Sequence, residues 1–161
     1  MKLRRRQLLP DDARAALPLN RGEKVIAAAQ LADGDWVVAT GGALVAVAGR
    51  TPWTDVAHAQ WFGEEQVLVV DPVPGAGAPL RLRLAEPGRL PETVHERVMA
   101  SIVLSRRIAL PGGGGARLVA RRGDGSDLAW QVVPDPGTDL TVPEVQAVVD
   151  AALTDLRSEL A

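Results

Sequence analysis

The sequence contains no cysteine and no tyrosine, a single phenylalanine, two histidines and, among 18 basic residues, only two lysines, Lys2 and Lys24. Without cysteine, disulfides, Cys-ligated zinc and thiol nucleophiles are excluded. With aromatic residues at 3%, a core has to be assembled from Val, Leu, Ala and Ile around a few Trp anchors. The two histidines, His58 and His95, form no H-x-x-x-H or H-x-H metal signature. No apolar run approaches the roughly 20 residues of a membrane span. The opening "MKLRRRQLLPDDARAALPL" is interrupted by Pro10, Asp11 and Asp12 before an apolar segment of signal-peptide length can form. A cytoplasmic protein is the expectation. An excess of positive charge is lacking too: 18 basic against 20 acidic residues leave a net charge of −2. That balance speaks against a nucleic-acid coat protein, whose affinity rests on neutralising phosphates.

What is present, 161 residues at 47% hydrophobic and 24% charged, suffices for one domain with its own core. Residues 1–20 read as a flexible amino-terminal arm, basic at Lys2 and Arg4 to Arg6 and broken by Pro10-Asp11-Asp12. Residues 21–161 read as a single α+β domain built mainly on antiparallel sheet. Six strands are expected, over 24–31, 35–40, 43–49, 55–62, 66–72 and 80–85. A helix over 91–102 follows, then strands over about 102–110, 116–122 and 128–133, and a C-terminal helix. The Asp33-Gly34 pair signals a hairpin. In "LRLRLA" Leu80, Leu82 and Leu84 point one way and Arg81 and Arg83 the other. Pro91 and Glu92 suit a first helical turn, and Val94, Val98 and Ile102 recur at intervals of four. Thr141 and Glu144 read as a capping box ahead of a stripe containing Val145, Val149, Leu153 and Leu156.

The segments that resemble chemical motifs each have a plainer reading. Four glycines, Gly112 to Gly115, precede "ARLVARR" rather than G-K-[ST] or a helix. Flanked by two strands, they read as a hairpin turn and not as a phosphate cradle. "RGD" at Arg122 to Asp124 lies between strands in a turn that continues through Gly125, Ser126 and Asp127. Asp124 with Asp127 falls short of the oxygen ligands a calcium loop needs. None of Ser101, Ser105, Ser126 and Ser158 sits in a G-x-S-x-G elbow. No catalytic residue, cofactor site or metal site is therefore assigned. Arg81 and Arg83, with Arg106, Arg107, Arg117, Arg121 and Arg122, form an Arg-bearing surface for nucleic acid only if they align across one sheet. No aromatic residue interleaves with them as a base-stacking platform.

Three segments carry a family resemblance: Gly22-Glu23-Lys24-Val25, Val38-Ala39-Thr40 and Pro52-Trp53-Thr54-Asp55-Val56. Together they resemble the opening of bacterial pleckstrin-homology-like domains. The resemblance implies a bent β-barrel closed by a helix over 22–102, with strands and a second helix over 103–161 outside it. The whole chain also resembles a family of small actinobacterial proteins, from which no activity carries over. Together, these readings lead to the expectation of a non-enzymatic interaction module that recognises a protein or peptide partner, with a homodimer as one form of it. Its surface would draw on Trp36, Trp53, Trp61, Arg81 and Arg83. The alternatives are a nucleic-acid-associated accessory protein using the arginines, and a hydrolase whose site assembles from residues remote in the chain.

Overall fold

The computed structural model describes residues 9–123 and 127–160. The chain divides between Ser101 and Ile102 into two compact units; the loop at Gly123 and Asp127 belongs with the first.

The first unit opens with a short helix, α1 (Asp11–Ala16), and continues through seven strands. These are β1 (Val25–Leu31), β2 (Trp36–Thr40), β3 (Ala43–Ala46), β4 (Gly49–Pro52), β5 (Val56–Phe62), β6 (Val67–Pro72) and β7 (Leu80–Glu86); a helix, α2 (Leu90–Ala100), closes the unit. All pairings are antiparallel, in the order β4-β3-β2-β1-β7-β6-β5. The β1–β2 hairpin turns where Asp33-Gly34 signalled it. Gly34 takes φ +99°, which a side chain would resist, and the Asp33 carboxylate accepts the Asp35 amide at 2.9 Å. The expected strand over 43–49 is instead two strands, β3 and β4, folded back at Val47-Ala48 so that Ala46 faces Gly49. An apolar turn without Asn, Asp or Pro carries no local signal, so six expected strands became seven. A 3-10 turn over Trp53–Asp55 then leads into β5.

One face of this sheet and α2 enclose the main core, which includes Val37, Leu44, Trp53, Val56, Leu68, Leu84, Leu90 and Val94. The opposite face of β1–β3 is buried as well, through Ala28, Val38, Ala43 and Val45. Its cover is the stretch expected to be a flexible arm: Leu17 is only 6% exposed, and Leu9 and Leu19 pack beside it. Pro10 does not break α1 but precedes it, with Asp11 and Asp12 complementing the first-turn dipole. Burial on both faces explains why "WVVA" (36–39) is apolar throughout instead of alternating.

The second unit is a three-stranded antiparallel sheet in the order β10-β9-β8, made from β8 (Ile102–Ala109), β9 (Gly115–Arg122) and β10 (Leu128–Pro134), with α3 (Pro143–Glu159). Ile102 therefore starts a strand and does not continue α2. The glycine run forms the β8–β9 turn, closed by the Leu110 amide donating to the Gly114 carbonyl at 3.2 Å. Gly112, Gly113 and Gly114 all hold φ between +75° and +95°, which is why the turn is built of glycine. Asp124 to Ser126, the core of the "RGDGSD" turn, lie outside the described residues. Val145, Val149 and Leu156 of α3 pack on Leu110, Ala116 and Leu118, with Leu153 only partly buried among them. No capping box forms. The helix begins at Pro143 with Val142 before it, and the Thr141 hydroxyl donates to the Asp139 carboxylate at 2.6 Å.

Candidate functional site

A groove of about 690 Å³ lies in the first unit between β5–β6 and the start of α2. Ala59 and Trp61 of β5 and Leu68 of β6 form its floor, and Pro87, Gly88 and Pro91 its end. Trp61 stands directly opposite Leu68 in the antiparallel register, so the indole extends an apolar surface continuous with the core. The wall comes from one side of α2: Glu92, His95 and Glu96. Val94 and Val98 of the same helix face the core, and the 3.6-residue period turns these polar residues outward beside them. The result is an apolar floor under an ionisable wall, open to solvent.

The acidic wall is poorly neutralised. Arg89 reaches Glu92 at 3.8 Å with both side chains more than half exposed, a pair of little energetic weight. Glu96 pairs with no cation among the described residues. The nearby α2 terminus offers little to an anion. The Leu90 amide is taken by the Pro87 carbonyl and the Thr93 amide by the Arg89 carbonyl, and Pro91 has no N–H.

The three resemblance segments come together elsewhere, at the sheet end of the same unit. Glu23 forms a two-pronged pair with Arg50, at 2.6 and 2.8 Å, and accepts the Thr40 hydroxyl at 2.9 Å and the Asn20 amide at 3.0 Å. The Trp53 indole N–H donates to the Thr40 carbonyl at 2.9 Å, and Arg50 also donates to the Pro18 carbonyl at 3.1 Å. The Arg50 guanidinium above all holds the Glu23 carboxyl at about 2, aided by Asn20 and Thr40 against the opposing effect of burial. These hydrogen bonds tie Glu23, Thr40, Arg50 and Trp53 to other parts of the chain, so this cluster is a structural clasp.

The structure does not gather the expected interaction residues into one surface. Trp53 is 3% exposed and belongs to the core, Trp36 packs on the opposite face beside Leu17, and only Trp61 lines the groove. Arg81 and Arg83 are exposed on β7 at a shallow hollow of about 220 Å³, whose rim also carries Asp33. The remaining arginines lie in the other sheet, so the alignment across one sheet does not occur. There Arg106 pairs with Glu159 at 3.2 Å, Arg107 forms a two-pronged pair with Asp135, and Arg117 donates to the Ser105 hydroxyl at 3.0 Å. Arg121 is buried, donating to Gln131 at 3.0 Å, and burial pushes its guanidinium below its ordinary value. Among the described residues no three His, Asp or Glu side chains cluster as metal ligands would, and no helix is long and apolar enough to cross a membrane. In the sequence, Glu92, His95 and Glu96 fall within about one turn of the expected helix, and nothing there marks them as a groove wall. Their spacing was visible; the strand they would face was not. Comparison with protein-family models, with curated proteins and with solved structures gives no match.

Proposed function

We propose that this chain is a non-enzymatic binding module whose groove beside α2 takes a segment of a protein or peptide partner. The observation that carries the reading is the composition of that groove: a half-buried Trp with Ala, Leu and Pro below, and three polar side chains along one rim. Concave sites of a few hundred Å³ that combine an apolar floor with a few polar groups are where ligands bind. An aromatic anchor of this kind is what a partner's side chain packs against. β5, which supplies the floor, is also the last strand of the sheet order, a position at which an extended segment can be added. Support for a pleckstrin-like reading of the first unit comes from seven antiparallel strands followed by a helix, and from the convergence of its three motif segments at Glu23, Thr40 and Trp53. Fold likeness alone implies no ligand; the groove does the recognising.

The test uses selection from a random displayed-peptide library on the intact chain. The same selection is repeated on Trp61→Ala, and on Glu96→Cys carrying a bulky maleimide adduct. Because the chain has no cysteine of its own, that adduct sits only at the exposed rim and leaves the core intact. Enriched peptides that bind the parent and lose binding when the rim is blocked support the reading. No enrichment, or binding indifferent to the adduct, overturns it.

A further inference from the structure

We infer that the segment bound in this groove is cationic, with arginine or lysine flanking an apolar side chain; this rests on the peptide-binding reading above and adds the chemistry of the partner. Glu92 and Glu96 stand four residues apart on α2, where like charges face each other and weaken the helix. Glu92 has a compensating position in the first turn, where negative charge complements the dipole. Glu96 lies a turn further on, without that compensation and, among the described residues, without a cation. A basic side chain laid between the two carboxylates relieves the repulsion and gains charge-assisted hydrogen bonds.

The floor points the same way. Trp61 presents an indole, the aromatic ring best suited to an overlying cation, next to Leu68 and Ala59, which receive an apolar neighbour. An anionic partner meets the opposite conditions. The α2 amides that an anion would seek are largely occupied by Pro87 and Arg89 carbonyls, and two carboxylates flank the approach. His95 is the one base among the residues lining the groove, and Arg89, beside them on the chain, is already turned toward Glu92.

Fluorescence anisotropy of short labelled peptides with the full chain tests this. One peptide carries Trp and Leu flanked by arginines, a second the same apolar residues flanked by glutamates, and a third the arginines with serine in place of the apolar residues. The first is expected to bind at least about tenfold more tightly than the other two. The double variant Glu92→Lys/Glu96→Lys, altered only at exposed positions, is expected to reverse the preference between the first and second peptides. Equal binding of the first two peptides, both lost on blocking the rim at Glu96→Cys, leaves the groove as the binding site and overturns the cationic preference. Equal binding of the first and third overturns it also, since attraction to surface charge then accounts for everything. If no peptide binds, the inference falls, and the library selection separately decides whether the groove binds anything.

Discussion

Glu23 and Arg50, 27 residues apart in the chain, meet in a two-pronged ion pair that ties the segment before β1 to β4. Glu23 titrates at about 2 when folded, against 4.5 ordinarily. As pH drops, the unfolded chain therefore takes up this proton first. The stability that Glu23 contributes is whole above about pH 4.5 and is lost as pH falls through that value towards 2. Denaturant midpoints of the parent chain should fall over this window more steeply than those of Glu23→Gln. At neutral pH the variant should be less stable by about 1.5–3 kcal/mol, the weight of hydrogen bonds to a charged group. Parallel pH curves for the two proteins would remove Glu23 as the source.

The amino-terminal stretch should behave as part of the first unit's core. Leu17 is 6% exposed, against Ala28, Val38 and Val45. Leu17→Ala should cost about 2–5 kcal/mol through lost transfer energy and the cavity left behind. Arg14→Ala, on the exposed side of α1, should stay within about 0.5 kcal/mol. Urea unfolding of both variants distinguishes a packed stretch from a dispensable one, because a silent Leu17→Ala contradicts the packing.

On α3, depth of burial should set the ranking. Leu156 is 2% exposed, while Leu153, one turn earlier, is only partly buried. Leu156→Ala should therefore cost about 2–5 kcal/mol and Leu153→Ala less. Asp155→Ala, facing outward, should change stability by under about 0.5 kcal/mol. If Leu156→Ala and Leu153→Ala both leave the unfolding curve in place, α3 does not stabilise the sheet on which it packs.

The glycine turn offers a steric test. A Cβ at Gly115 would come within 2.6 Å of the Ile108 carbonyl oxygen, which is backbone and has no easy way to move. Gly115→Ala should cost about 1–3 kcal/mol, as overpacking does. At Gly113 a Cβ meets open space, but φ is +95°, so the loss there should be about 1 kcal/mol from backbone strain. Thermal melts of the two single variants compare the terms directly. Equal, negligible shifts would mean that the turn adapts to side chains.

The order of strands and helices was legible in the residues because periodicity and turn chemistry are local. Alternation in "LRLRLA" marked β7, Asp33-Gly34 marked the first hairpin, and the strands flanking Gly112 to Gly115 separated a turn from a phosphate loop. Local signals failed where a distant or competing partner decided the outcome. Val47-Ala48 turns only because β4 pairs back on β3. Thr141 caps nothing because the helix begins at Pro143 with Val142 at its N-cap, while the Thr141 hydroxyl donates to Asp139. Pro10 begins a helix whose neighbour, Leu17, finds a sheet face to cover.

The sequence by itself determined that chemistry through cysteine is absent, that the chain alternates strands with two longer helices, and that three of the four tryptophans, Trp36, Trp53 and Trp61, and a set of arginines needed explaining. Tertiary structure alone decided what became of them. Trp53 went into the core and Trp61 onto a groove, because strand register, not spacing, selects the face each meets. The arginines were divided between two sheets because pairing partners are chosen by long-range hydrogen bonding across the whole chain. The acidic wall of Glu92 and Glu96 gained its apolar floor in the same way: α2 brings the carboxylates to the groove, and β5 and β6, far earlier in the chain, bring Trp61 and Leu68. A helix period shows which residues share a face. Only packing determines what that face meets.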